Sequence, residues 1–293
     1  MRQDPSINGG AYFQNLILNK AEKSRFVQSW AVEGGGEKAL FRAGSARAAL
    51  PPEGLAAGVL LTVLVVLAWA LLFRMDAANE IFVCRVSPTG FTALGAMWVV
   101  MMVAMMTPSA LPMILSYAQV AARHEPSAAR LGLVGVFAGL YFLVWSVFAL
   151  LGAAAQWGLS EKGLLQDGKL SEPLLAGALV LIAGLYQLTA VKAVCLRHCH
   201  APSAFLAGRY RPGFRGAARL GLEHAMACVG CCWLLMLLAF AGSSMHLGWM
   251  VALTLFVAIE KLVGARGSAL RFSAILLIGA GAAHILTSGS VLP

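Results

Sequence analysis

The sequence predicts an all-α protein, a polytopic transmembrane helical bundle of about seven spans. Three observations carry that expectation. Of 293 residues, 59% are hydrophobic and 12% charged, about half the charged share of a soluble domain. The apolar residues collect in seven runs, most near the roughly 20 residues that a helix needs to cross a bilayer. The basic residues fall mainly in alternate connections between the runs, the pattern that orients membrane helices.

The first run is Leu55 to Phe73, and the second Phe91 to about Gln119, interrupted by Pro108 and Pro112. The third is about Leu131 to Trp157 and the fourth Leu174 to about Ala193. The fifth, sixth and seventh are about Leu220 to Ala241, Leu247 to Val263 and Ala269 to Ile285. Gly135 and Gly139 on the third run form a small-xxx-small pair, a signal for close helix packing.

Lys and Arg number 18 on one side of this arrangement and 4 on the other. The split predicts seven spans, with the N-terminus in the cytoplasm and the C-terminus outside. Residues 1–54 are basic and Gly-rich and read as a flexible cytoplasmic extension, without the h-region or cleavage site of a signal peptide. Residues 55–293 form the bundle, with a cytoplasmic Cys/His loop around 194–219. The net charge of +9 does not indicate nucleic acid, because no stretch interleaves bases with aromatics as a nucleic-acid-binding face would.

The six cysteines are Cys84, Cys195, Cys199, Cys228, Cys231 and Cys232. Two are expected in the cytoplasmic loop and three inside the membrane, so thiolate chemistry fits better than disulfides, which a reducing cytosol disfavours. Cys84 stands alone in an outer loop.

The second run carries Met97, Met101, Met102, Met105 and Met106, with Met113 beyond. Residues four apart share a helix face. Thioethers select Cu(I) over hard cations, although methionine also serves as core filler. The prolines that follow predict a kink, a recurring device of transporters.

The fifth run places His224 and Cys228 at i,i+4, and Cys228 with Cys231 and Cys232 at i,i+3 and i,i+4. One helical stripe thus bears an imidazole and three thiols, with spacing suited to a soft metal. At ~1.5 Å per residue, Cys231 and the stretch from Met97 to Met102 fall at overlapping depths. Just upstream, Cys195, His198, Cys199 and His200 form a second candidate site for Cu(I) or zinc. Gln187 reads as a cross-helix hydrogen-bonding residue. Glu260 and Lys261, at the end of the sixth run, read as interfacial.

These residues also carry a resemblance. The run from Trp98 to Pro112, and the segment from Cys195 to Trp233 with its C-L-x-H-C and G-L-x-H-x-x-x-C-x-G-C-C-W patterns, resemble a bacterial family of predicted metal-binding integral membrane proteins. That family is mostly catalogued as a domain of unknown function and sometimes labelled copper chaperone. The resemblance implies a bacterial inner-membrane location and metal binding by His224, Cys228, Cys231 and Cys232. The methionine cluster and Cys195, His198 and Cys199 are implied as further ligands.

Three functions stay open on this reading. The first is handling or transfer of a soft metal, copper above zinc, in the lipid bilayer, with a soluble metal chaperone or metalloenzyme as partner. The second is an assembly subunit of a metalloenzyme complex. The third is a membrane enzyme using the vicinal Cys231–Cys232 pair, or a bound metal, for redox chemistry. No nucleotide-binding loop or serine nucleophile elbow is present to support other catalysis.

Overall fold

The computed structural model describes residues 50–77, 88–166, 168–242, 246–264 and 267–289. The extension proposed for residues 1–54 lies almost wholly outside these residues, as does Cys84. Among the described residues the chain is all-α apart from one two-stranded antiparallel hairpin. The long helices are α1 (Pro52–Ala77), α2 (Pro88–His124) and α3 (Ser127–Glu161). After the hairpin strands β1 (Leu165–Gln166) and β2 (Lys169–Leu170) come α4 (Pro173–Gln187), α5 (Ala190–His200) and the short α6 (Pro202–Ala207). The chain continues through α7 (Gly213–Leu237), α8 (Ala239–Gly242), α9 (Leu247–Val263) and α10 (Gly267–Gly289).

Every apolar run has become helix. Among the described residues, five helices are long and apolar enough to cross a membrane, or six if α4 and α5 count as one bent span. The fifth run extends as α7 from Gly213, and α9 has 17 residues. Pro173 opens α4 at its first turn, where its missing N–H breaks no helical bond. Pro108 and Pro112 lie inside α2, which runs through both as one helix of 37 residues. Helix α2 is therefore continuous, without a break, across both prolines.

The break falls instead in the fourth run, between α4 and α5, which meet at 69°. Thr189 makes it: its side chain accepts a hydrogen bond from the Lys192 backbone N–H and starts a new helix. The segment from 194 to 200, expected as a loop, is consequently helical.

Helix α10 packs along α4, α3 against α2 and α7, α1 against α2, and α5 against α7. At the α4–α10 crossing, a Cβ on Gly184 would lie 2.8 Å from the Ile278 backbone nitrogen. Gly135 and Gly139, by contrast, have no neighbour within 4 Å that a Cβ would meet. The close approach on α3 is at Phe137, whose carbonyl oxygen would be 2.6 Å from a Cβ on Gly221 of α7.

The burial pattern is that of a helical bundle with an apolar exterior. Leu60, Leu151, Leu262, Phe272, Ile275 and Leu286 lie on the exterior, each more than 60% exposed. Lys192, His224, Glu260 and Lys261 are buried. A soluble protein rarely exposes large contiguous apolar surface.

Candidate metal centre

Helix α7 supplies one wall of the centre. Its i,i+3 and i,i+4 spacing turns Cys228, Cys231 and Cys232 to the interior, where each is about 1% exposed or less. The Cys231 and Cys232 thiols donate to the Cys228 carbonyl at 3.1 and 2.9 Å, which fixes both side chains along the helix. Helix α5 supplies the opposite wall. After the bend it lies against α7 and directs Cys199 into the same space. The sulfurs of Cys199, Cys228 and Cys231 all lie within 4.8 Å of one another, and Cys199 and Cys231 are 3.9 Å apart.

That geometry fits a soft metal ion. Metal–thiolate bonds near 2.3 Å, tetrahedral or trigonal, hold their sulfurs about 4 Å apart. Three buried thiols at that spacing can converge on one ion, and a thiol-rich site selects Cu(I) or zinc over hard cations.

A closed polar ring frames Cys228. Lys261 of α9 reaches its sulfur at 3.1 Å and donates to Ser109 Oγ at 2.8 Å. Ser109 donates to the Met106 carbonyl at 2.8 Å. Tyr141 of α3 donates to the same carbonyl at 3.2 Å and lies 3.3 Å from the Cys228 sulfur. Four helices thus meet around one thiol. Lys261, expected at an interface, is 7% exposed. Glu260 is also buried, and its carboxylate is engaged by Lys192 at 2.6 Å and Gln187 at 2.7 Å. The interfacial reading of this pair is overturned: α9 turns both residues inward, where each finds a partner.

Beyond the triad, Cys232 points to α2, with its sulfur 4.0 Å from the Met106 thioether. Met101, Met102 and Met105 are buried along the same helix. The depth overlap expected for Met97 to Met102 is displaced by about one turn, because Met106 makes the sulfur–sulfur contact. His224 lies one turn before Cys228, with its ring stacked between Phe137 at 6.0 Å and Tyr141 at 5.3 Å. Among the described residues neither of its ring nitrogens has a hydrogen-bond partner.

The four α5 residues do not form a separate cluster. Cys199 joins the central triad. Cys195 is half-buried, and its sulfur occupies the space over Gly230, where a Cβ would be 2.8 Å away. The Nδ1 atom of His198 pairs with the Val194 carbonyl at 2.9 Å, and its Nε2 faces Arg209 at 3.5 Å. His200 pairs with the Lys261 carbonyl at 2.8 Å. The helical conformation is the cause, since it points consecutive residues in different directions. Lys261, Tyr141 and Ser109 escaped the sequence reading. Lys261 had a usable signal, an ionisable residue within reach of an apolar run. Tyr141 and Ser109 had none.

Fold and site together define a helical bundle, apolar on the outside, with a thiol-rich centre inside. The family described as copper chaperone (PpoB2) matches residues 95–284, from the methionine helix to α10. The chain belongs to this copper chaperone family. No curated protein and no solved structure matches it.

Proposed function

We propose that this chain is an integral membrane carrier of Cu(I). It would receive the ion at Cys199, Cys228 and Cys231 and pass it through Cys232 to Met106 and the thioethers of α2. The observation that carries the proposal is the convergence of three buried thiols from two helices within 4.8 Å of one another. His224 stands one turn away as an auxiliary ligand, and Cys195 is a half-buried thiol on the same helix as Cys199.

Thioethers bind Cu(I) and carry no charge, so a step from thiolate to methionine adds no charged group to desolvate. The apolar exterior and the 18-to-4 distribution of basic residues support insertion in a bacterial inner membrane. The proposed topology has seven spans, with α4–α5 counted as one, a cytoplasmic N-terminus and an outer C-terminus. Residues 1–54 form a cytoplasmic extension. The partners are the bilayer and a soluble metallochaperone or metalloenzyme.

Metal analysis of the purified, reduced protein tests this reading. About one copper per chain is expected, and joint replacement of Cys199, Cys228 and Cys231 by serine should remove most of it. Full stoichiometry in the triple variant would refute the site. A parent protein that binds copper but moves none across proteoliposomes would instead act as an assembly subunit delivering the ion to a metalloenzyme.

A further inference from the structure

The vicinal pair Cys231–Cys232 attracts attention as a redox unit in the sequence, but the structure redirects it. Adjacent residues on a helix diverge by about 100°. The pair brought together is Cys199 and Cys231, 32 residues apart in the chain, on different helices and 3.9 Å apart at sulfur. A disulfide requires a further approach to about 2.05 Å. Cys199 sits in the last turn of a helix arm that follows a 69° bend, so the approach asks for movement at a helix end. Cys228 lies within 4.8 Å of both sulfurs, and Cys232 stands ready with Met106 at 4.0 Å. The centre therefore holds more thiols than one Cu(I) ion needs, beside a thioether that prefers the reduced ion.

We propose that Cys199 and Cys231 are a redox-active dithiol that reduces Cu(II) to Cu(I) as copper enters the centre. The electrons balance as follows. The two thiols lose two electrons and two protons and form the Cys199–Cys231 disulfide; two Cu(II) ions each take one electron, and the protons pass to water. The disulfide withdraws two of the three triad sulfurs. Of the two Cu(I) ions formed, one is thereby left to Cys228, Cys232 and Met106, on the path toward α2, and the other is released to solvent. A small dithiol resets the pair: one thiolate attacks a sulfur of the disulfide and releases the other cysteine, and the second thiol then closes the reductant's own disulfide. This activity builds on the copper reading above, but the pairing itself can be tested without copper.

Two measurements on the full-length chain in detergent, with Cys84→Ser as background, test the proposal. First, the reduced protein is treated with diamide in the absence of metal, and its disulfides are mapped by peptide mass spectrometry. The expected product is a Cys199–Cys231 linkage within one chain. Second, a Cu(II) salt is added under argon with a chromogenic Cu(I) chelator, and two Cu(I) should appear per disulfide formed. In a Cys228→Ser background, which removes the third thiol within 4.8 Å, Cys199→Ser and Cys231→Ser should each slow that reduction about tenfold or more, since the surviving thiol then lacks its close partner. A Cys231–Cys232 or intermolecular linkage, or reduction unchanged in both variants, would overturn the proposal. Protein that binds Cu(I) but forms no Cys199–Cys231 bond would leave the carrier reading standing and this one refuted. A disulfide and Cu(II) reduction without retained Cu(I) would support the redox pair and refute the carrier.

Discussion

The Lys192 ammonium of α5 and the Glu260 carboxylate of α9 meet at 2.6 Å in the interior, with Lys192 only 1% exposed. Gln187, the last residue of α4, holds the other carboxylate oxygen. One carboxylate thus ties together both sides of the α4–α5 bend and the helix that carries Lys261. Cys199 lies two turns beyond Lys192 on the same helix, so this clamp sets the approach of Cys199 to α7.

Breaking the clamp on one side should be severe. Glu260→Gln leaves a buried ammonium without its anion, and a loss of about 3–5 kcal/mol is expected. Replacing both partners with apolar residues, Lys192→Met with Glu260→Leu, should recover most of that. The remainder, about 1 kcal/mol, reflects the hydrogen bond that Gln187 loses. Denaturation of Glu260→Gln, of Lys192→Met and Glu260→Leu singly, and of the double variant in detergent measures each value, and additive losses would show that the pair is not coupled.

Much of this architecture is legible in the sequence, and the failures have physical causes. Seven apolar runs gave seven helical regions because a helix satisfies the backbone of an apolar segment within the segment itself. The stripe of His224, Cys228, Cys231 and Cys232 was readable because helical periodicity is local. The bend at Thr189 was hidden, since Leu188 continues the apolar run across it. Cys199 consequently looked like part of a surface loop, when the bend delivers it to the core. Lys261 looked interfacial because a lysine near the end of a span usually reaches for water; its real partners, Ser109 and Cys228, lie far away in sequence.

His224 separates a packing role from a metal role. Phenylalanine matches the sandwich between Phe137 and Tyr141 and removes two unpartnered nitrogens. Relief of an unpaired buried group is worth about 1 kcal/mol or more, so His224→Phe should leave the metal-free protein as stable or stabler. Cu(I) affinity should nevertheless fall at least tenfold, the scale of losing a supporting group at a metal. Unchanged affinity in a competition titration would make His224 a core residue only.

Gly221 sits in the G-L-x-H segment for a steric reason. A Cβ there would be 2.6 Å from the Phe137 carbonyl oxygen, which is backbone and cannot rotate away. Gly221→Ala should push α7 from α3 and cost about 1–3 kcal/mol, visible as a lower thermal midpoint. Gly135→Ala and Gly139→Ala, which meet nothing within 4 Å, should be neutral or slightly stabilising.

Met106 tests the transfer path. Leucine conserves its volume, so Met106→Leu should fold normally and keep the copper held by the three thiols. Removing the thioether 4.0 Å from Cys232 should slow copper release from the centre to an external chelator about tenfold. Adding Met101→Leu, Met102→Leu and Met105→Leu should slow it further. Release at the parental rate would reduce the methionine column to packing.

The central claim is that cysteines from two helices, Cys199 of α5 with Cys228 and Cys231 of α7, bind one ion. X-ray absorption spectroscopy of the reduced, Cu(I)-loaded protein tests it most directly, because it counts the donor atoms. Three sulfur donors are expected, with the His224 imidazole as the single nitrogen donor, and the sulfur count drops to two in Cys199→Ser while the fold persists. A site dominated by nitrogen or oxygen, or a sulfur count unchanged in Cys199→Ser, would contradict it.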